Sequence, residues 1–111
     1  MVALFGQLAT EVNMTRKEHN PRIECNDGFT MSVQARDGAY CTPREDHPRT
    51  PYTHVECGYP SSKPTTVALC DYAELCGTDD YCETVYGYVP VEVVQAELDA
   101  HGGIAEGCLP S

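Results

Sequence analysis

Phe29, Met31, Val33 and Ala35 alternate with Thr30, Ser32, Gln34 and Arg36, the period of two expected of a strand with one buried face. Asn26-Asp27-Gly28 ahead of it reads as a turn, so ordered structure is expected from about Ile23. Asp37-Gly38 breaks the pattern, Ala39 to Thr42 reads as a further short strand, and Pro43 to Pro51 is a charged loop bounded by prolines. Alternation returns from Tyr52 to Tyr59, with Thr53, Val55, Cys57 and Tyr59 on one face and Tyr52, His54 and Glu56 on the other. After the connector Ser61–Pro64, Thr65 or Thr66 caps a short helix expected to run to about Cys76, where Gly77 stops it. Glu83 to Val89 is rich in β-formers, and Gly87 inside it marks a bulge or a close backbone approach.

The clearest helix follows. Pro90 stands in its first turn, Val91, Val94, Leu98 and His101 trace one stripe, and Gly102-Gly103 closes it. Glu92, Glu97 and Asp99 fall off that stripe, which predicts that Glu97 is exposed. The pattern defines a small α+β domain over residues 23–111, an antiparallel sheet with a C-terminal helix packed on one face and a second, short helix. Residues 1–22, polar and mixed in charge after a short apolar start, are expected to form a loosely ordered or partly helical arm.

A chain of 111 residues suits one domain, and a homo-oligomer is one way for it to gain buried area. With 41% hydrophobic and 22% charged residues it has the composition of a folded protein. No apolar run approaches the roughly 18 residues of a membrane span, so no membrane role is expected. The start, MVALFGQLATEV, lacks a basic segment and meets Glu11 early, so an intracellular, cytoplasmic protein is expected.

Charge divides the chain. All seven Lys and Arg lie between Arg16 and Lys63, whereas the last 48 residues hold nine carboxylates, so most of the net charge of −10 belongs to the C-terminal half. That half repels nucleic acid directly and suits a basic protein partner. Its densest group, Asp71, Glu74, Asp79, Asp80 and Glu83, is a candidate acidic partner surface, with imitation of a phosphate backbone as the specific form and plain solubility as the ordinary one.

Seven cysteines are the compositional oddity, and their odd number without an export signal favours reduced thiols. Cys70, Cys76 and Cys82 recur every six residues, too far apart for paired zinc ligands, and His54 and Cys57 point to opposite faces of a strand. Neither a metal nor another cofactor is expected. Cys41 has Arg36, Arg44 and His47 nearby in sequence but no nucleophile signature, and it reads as a thiol beside a loop. The better candidate surface is polar: Gln34 and Arg36 from the first long strand, with Tyr40 and Arg44 from the following segment. Amide, guanidinium and phenol groups of this kind suit an anionic small ligand such as a nucleotide, or a protein hot spot.

Three segments, GFTMSVQARDGAYCTPR at Gly28–Arg44, YTHVECGYPSSKP at Tyr52–Pro64 and TVYGYVPVEVVQAELDAHGGI at Thr84–Ile104, together resemble small proteins encoded by tailed bacteriophages and prophages. The resemblance covers about half of the chain, with VYGYVPVEVV as its most distinctive run. It implies a viral accessory protein in the host cytoplasm that antagonises or modulates a host system, a defence component among them. The leading expectation is a non-enzymatic protein that binds and inhibits a host factor through the acidic half or the Gln34–Arg44 edge. The alternatives are a protein that sequesters a nucleotide or other small ligand, and a structural virion component.

Overall fold

The computed structural model describes residues 19–111; the expected arm lies mostly outside them. Strands β1 (Ile23–Cys25), β2 (Thr30–Gln34) and β3 (His54–Gly58) are followed by helix α1 (Val67–Cys70), strand β4 (Val85–Pro90), helix α2 (Val91–Ala100) and strand β5 (Ile104–Glu106). The strands form one five-stranded antiparallel sheet in the order β4-β3-β2-β1-β5, and with two helices this is a small α+β fold. Among the described residues no helix is long and apolar enough to cross a membrane.

Alternation sets the core. Met31 and Val33 from β2, Val55 and Cys57 from β3, and Tyr86 and Val89 from β4 are all buried on one face, where Val94 and Leu98 of α2 join them. The register Val33↔Cys57 and Val55↔Val89 lays these side chains side by side across three strands. Leu98 is fully buried, so Leu98→Ala will cost on the order of 2–5 kcal/mol by the transfer and cavity terms together. Urea unfolding of the two proteins measures the difference.

Several elements differ from the sequence reading. Ala39 to Thr42 contributes only an isolated bridge, Thr42↔His54, because the segment folds back on itself, with Cys41 N donating to Ala39 O. The first helix is capped as expected by Thr66, whose Oγ1 accepts from Leu69 N at 3.3 Å. It ends at Cys70 rather than near Cys76, because the following residues turn to the sheet: Ala73 bridges Tyr86 and Glu74 N donates to Val85 O. Backbone hydrogen bonds to the β4 edge outweigh the local helical preference of Ala73 and Leu75.

The largest correction is Glu97. Far from being exposed, it has no solvent-accessible surface and accepts five hydrogen bonds. Thr65 donates to Oε2 from its amide at 2.8 Å and its hydroxyl at 3.0 Å, and Thr66 to Oε1 from the same two groups at 2.9 and 2.7 Å. His101 Nε2 completes the set at 2.8 Å, and its Nδ1 lies 2.7 Å from Asp27 Oδ2. A carboxylate on each side of the ring makes His101 an imidazolium with both N–H groups committed. Phe29 stacks on it, centroids 3.9 Å apart and planes within 8°. The C-terminal end of α2 is thereby fastened to the entrance of α1 and to the β1–β2 turn, where Gly28 takes a φ of 96°.

Candidate functional site

The same alternation that buries Met31, Val33 and Ala35 sends Ser32, Gln34 and Arg36 to the opposite face of the sheet, and Glu56 emerges there from between Val55 and Cys57. His19 and Asn20 lie against this face. The Gln34 amide clasps the backbone of one residue: Asn20 N donates to its Oε1 at 2.8 Å, and its Nε2 donates to Asn20 O at 2.9 Å. Gln34 Nε2 also donates to Ser32 Oγ at 3.0 Å. Arg36 Nη2 lies 2.8 Å from His19 Nε2, which accepts when the ring proton is on Nδ1. Arg36 Nη1 is buried with no hydrogen-bond acceptor among the described residues. These side chains, with Glu56 and Tyr59, surround a recess of about 100 Å³.

Beside the recess the sheet is deformed. The β3–β4 register runs Val55↔Val89 and then Cys57↔Tyr86, so Gly87 and Tyr88 together face Glu56 in a bulge. Tyr88 adopts a φ of 53°, and its amide donates to Tyr40 O at 3.0 Å instead of to β3. Tyr40 lies directly over Gly87: a Cβ there would stand 3.4 Å from Tyr40 Cβ and 2.9 Å from Glu74 Oε2. The Gly87 position thus combines the bulge and the close approach that the sequence suggested. Tyr40 N in turn donates to Glu56 Oε1 at 3.1 Å, which ties this loop to the rim of the recess.

The result is an exposed aromatic and cationic surface. Tyr40 and Tyr88 stack with centroids 5.7 Å apart, and Arg44 Cζ stands 5.3 Å from the Tyr40 ring centre. They remain 43% and 44% exposed, and Tyr59 is 50% exposed at a φ of 50°. Arg22 Nη2 holds this last conformation by donating to Tyr59 O and to Thr30 Oγ1. A left-handed backbone at a bulky residue costs on the order of 1–3 kcal/mol. Two such residues with exposed rings on one sheet face gain little from packing to offset that strain.

The residues singled out in the sequence are distributed as follows. Gln34 and Arg36 wall the recess, and Tyr40 and Arg44 stand on its tyrosine rim, so all four occupy one continuous face. Asp71, Glu74, Asp79, Asp80 and Glu83 are all exposed on the stretch between α1 and β4. Asp80 shapes that stretch, accepting from Cys82 N at 2.9 Å, and Glu74 leans toward Gly87 beside the tyrosines. None of the five forms an ion pair with a described residue. Sequence reasoning missed Tyr59, Tyr88, Glu56 and His19 as members of the face; the YGY around Gly87 was the available sign.

Chemistry at the cysteines points inward. Cys25, Cys41 and Cys57 are buried, and none of the seven forms a disulfide. Burial pushes the thiols of Cys25, Cys57, Cys70 and Cys82 up from their usual value, away from thiolate. The single S–H of Cys41 is shared between two loop carbonyls, Arg36 O at 3.1 Å and Pro43 O at 3.4 Å, which suits a role in fixing the loop. Among the described residues no group of three or more His, Cys, Asp or Glu side chains is placed to hold a metal ion. No family model, curated protein or solved structure matches the chain.

Proposed function

We propose that this protein acts without catalysis, by binding another protein through the face formed by Tyr40, Tyr88, Arg44 and the Arg36 recess. The observation that carries this reading is the exposed Tyr40–Tyr88 stack held on a strained bulge. Tyrosine and arginine dominate the few contacts that supply most of the energy in protein interfaces. A rigid backbone that presents them before binding lowers the ordering cost of association. The recess, at about 100 Å³, is well below the roughly 300–1,000 Å³ typical of small-molecule pockets, which disfavours a whole nucleotide as ligand. The resemblance to phage proteins adds a context in which the partner is a host factor that binding blocks.

The test uses variants that spare the fold. Tyr88→Gly relieves the left-handed strain while removing the ring, so stability will stay within about 1 kcal/mol of the parent. Capture of the partner from host lysate, quantified by mass spectrometry, will fall at least about tenfold for Tyr88→Gly and for Arg44→Ala, as for other hot-spot truncations. Reversal of Asp79, Asp80 and Glu83 to Lys will change it much less. If charge reversal abolishes capture and the tyrosine variant does not, the acidic stretch is the working surface instead.

A further inference from the structure

We propose that the tyrosine face takes a basic segment of the partner, with an arginine side chain laid on the Tyr88 ring beside the Glu74 carboxylate. This rests on the protein-binding reading above and names the chemistry of the segment that the face receives. The Tyr40 ring already carries a guanidinium, with Arg44 Cζ 5.3 Å from its centre, whereas no described cation stands over Tyr88. One ring of the stack is thus filled by this chain and the other is left open. Tyr88 is 44% exposed, and the left-handed backbone at the bulge holds it there. A ring face attracts a cation through its quadrupole, and arginine, planar and weakly hydrated, is the cation that stacks on it most often.

The charges beside the open ring select a cation. Glu74 Oε2 lies over Gly87, the residue before Tyr88: it stands 2.9 Å from the point a Cβ there would occupy, and Tyr40 Cδ2 stands 3.4 Å from the same point. Glu74 is exposed, and among the described residues its carboxylate accepts no hydrogen bond and forms no ion pair. Glu56 faces the same bulge, and Tyr40 N engages only one of its oxygens. Of the basic groups on the face, Arg44 lies on Tyr40, and Arg36 is turned into the recess, with Nη1 shut off from solvent and Nη2 against His19. An acidic segment would be repelled by Glu74 and Glu56, and an uncharged one would cover the Glu74 charge without a counter-charge. An arginine answers both, because its flat face covers the ring while its fork reaches a carboxylate. Past Lys63 the chain has nine carboxylates and no Lys or Arg, so the stretch leading away from Glu74 extends the negative field. Those outlying charges act on the rate of encounter and its salt dependence, which is why reversal of Asp79, Asp80 and Glu83 changes capture less than loss of the Tyr88 ring.

The experiment selects binders to the whole protein from a phage-displayed library of random peptides and counter-screens them on Tyr88→Gly. Peptides that lose at least about tenfold in affinity for Tyr88→Gly will carry arginine and lack Asp and Glu. In the tightest of them, made synthetically, citrulline in place of the arginine keeps its shape without its charge and will weaken binding at least about tenfold; lysine will weaken it less. Glu74→Gln will weaken the arginine peptide about three- to fivefold and will shrink the difference between arginine and citrulline, a coupling that a merely structural role for Glu74 would not produce. Tyr88-dependent peptides that are acidic, or that contain neither Lys nor Arg, overturn the arginine assignment while leaving the tyrosine face as a docking surface. A citrulline peptide that binds as tightly as its arginine parent, or an arginine preference that Glu74→Gln leaves unchanged, overturns it as well. A library that yields no Tyr88-dependent peptide also overturns this inference, and partner capture by Tyr88→Gly then decides whether the wider reading falls with it.

Discussion

Glu97→Ala will destabilise the protein by about 3–5 kcal/mol, the range for removing one member of a buried charged network. The substitution leaves the His101 imidazolium, two threonine hydroxyls and two backbone amides without the acceptor they share. Glu97→Gln preserves size and one acceptor but turns an NH2 toward groups that are all donors, so it will fall between the parent and the alanine variant. Glu92→Ala, on the exposed side of α2, is the control and will lie within about 0.5 kcal/mol of the parent. Urea unfolding curves of the four proteins decide the matter, and equal small effects at positions 92 and 97 would remove the network from the account of the fold.

The same network sets a pH window. Burial opposes charging of His101, but its hydrogen bonds to Asp27 and Glu97 and their charges outweigh this and raise its pKa above the usual 6.5. Burial likewise works against the Glu97 carboxylate, and the donors from Thr65, Thr66 and His101 overcome it, so its pKa falls below 4.5. Asp27 is lowered from 3.8, first by the Phe29 amide and then by His101. A raised histidine stabilises fully below its unfolded value and loses that contribution as pH rises through the folded one; lowered carboxylates stabilise above their unfolded values and lose it as pH falls. The network therefore contributes most between pH 4.5 and 6.5, with losses on both sides. In Glu97→Gln the alkaline loss will flatten, because the imidazolium keeps only Asp27 as a counter-charge.

How much of this was legible in the sequence follows from the range of the interactions involved. The β2 face and the Val55 and Cys57 positions of β3 could be read because alternation is local, and the same alternation brings Gln34 and Arg36 to one side. At the ends of the expected Tyr52–Tyr59 strand the reading failed, since β3 spans only His54–Gly58, Tyr52 is buried and Tyr59 turns outward at a φ of 50°. The stripe Val94, Leu98 and His101 was readable for the same reason. Glu97 was misassigned because its partners, Thr65 and Thr66, lie more than thirty positions away, although its i,i+4 spacing to His101 was visible. The Tyr88 conformation depends on the Tyr40 carbonyl, 48 residues earlier, and no local propensity encodes that contact. Strands β1 and β5, at three residues each, are too short to display a period.

Tyr86 links the core to the acidic stretch, and its two variants will separate packing from hydrogen bonding. Its ring is fully buried opposite Cys57, and its hydroxyl donates to Tyr81 O at 2.7 Å. Tyr86→Ala will cost about 3–5 kcal/mol, as expected for an aromatic ring lost from a well-packed core. Tyr86→Phe keeps the ring and will cost about 1 kcal/mol, near the net worth of one hydrogen bond. The phenylalanine variant has a local consequence as well. The Tyr81 ring packs against the core and under Lys63 Nζ, 4.5 Å from its centre, but its carbonyl is held by the Tyr86 hydroxyl, so loss of that hydroxyl loosens the backbone of the stretch that carries Asp79, Asp80 and Glu83. Amide hydrogen exchange will therefore accelerate over residues 76–83 in Tyr86→Phe while remaining unchanged in β2. Uniform acceleration across the sheet would mean that the hydroxyl supports the whole core and not this stretch in particular.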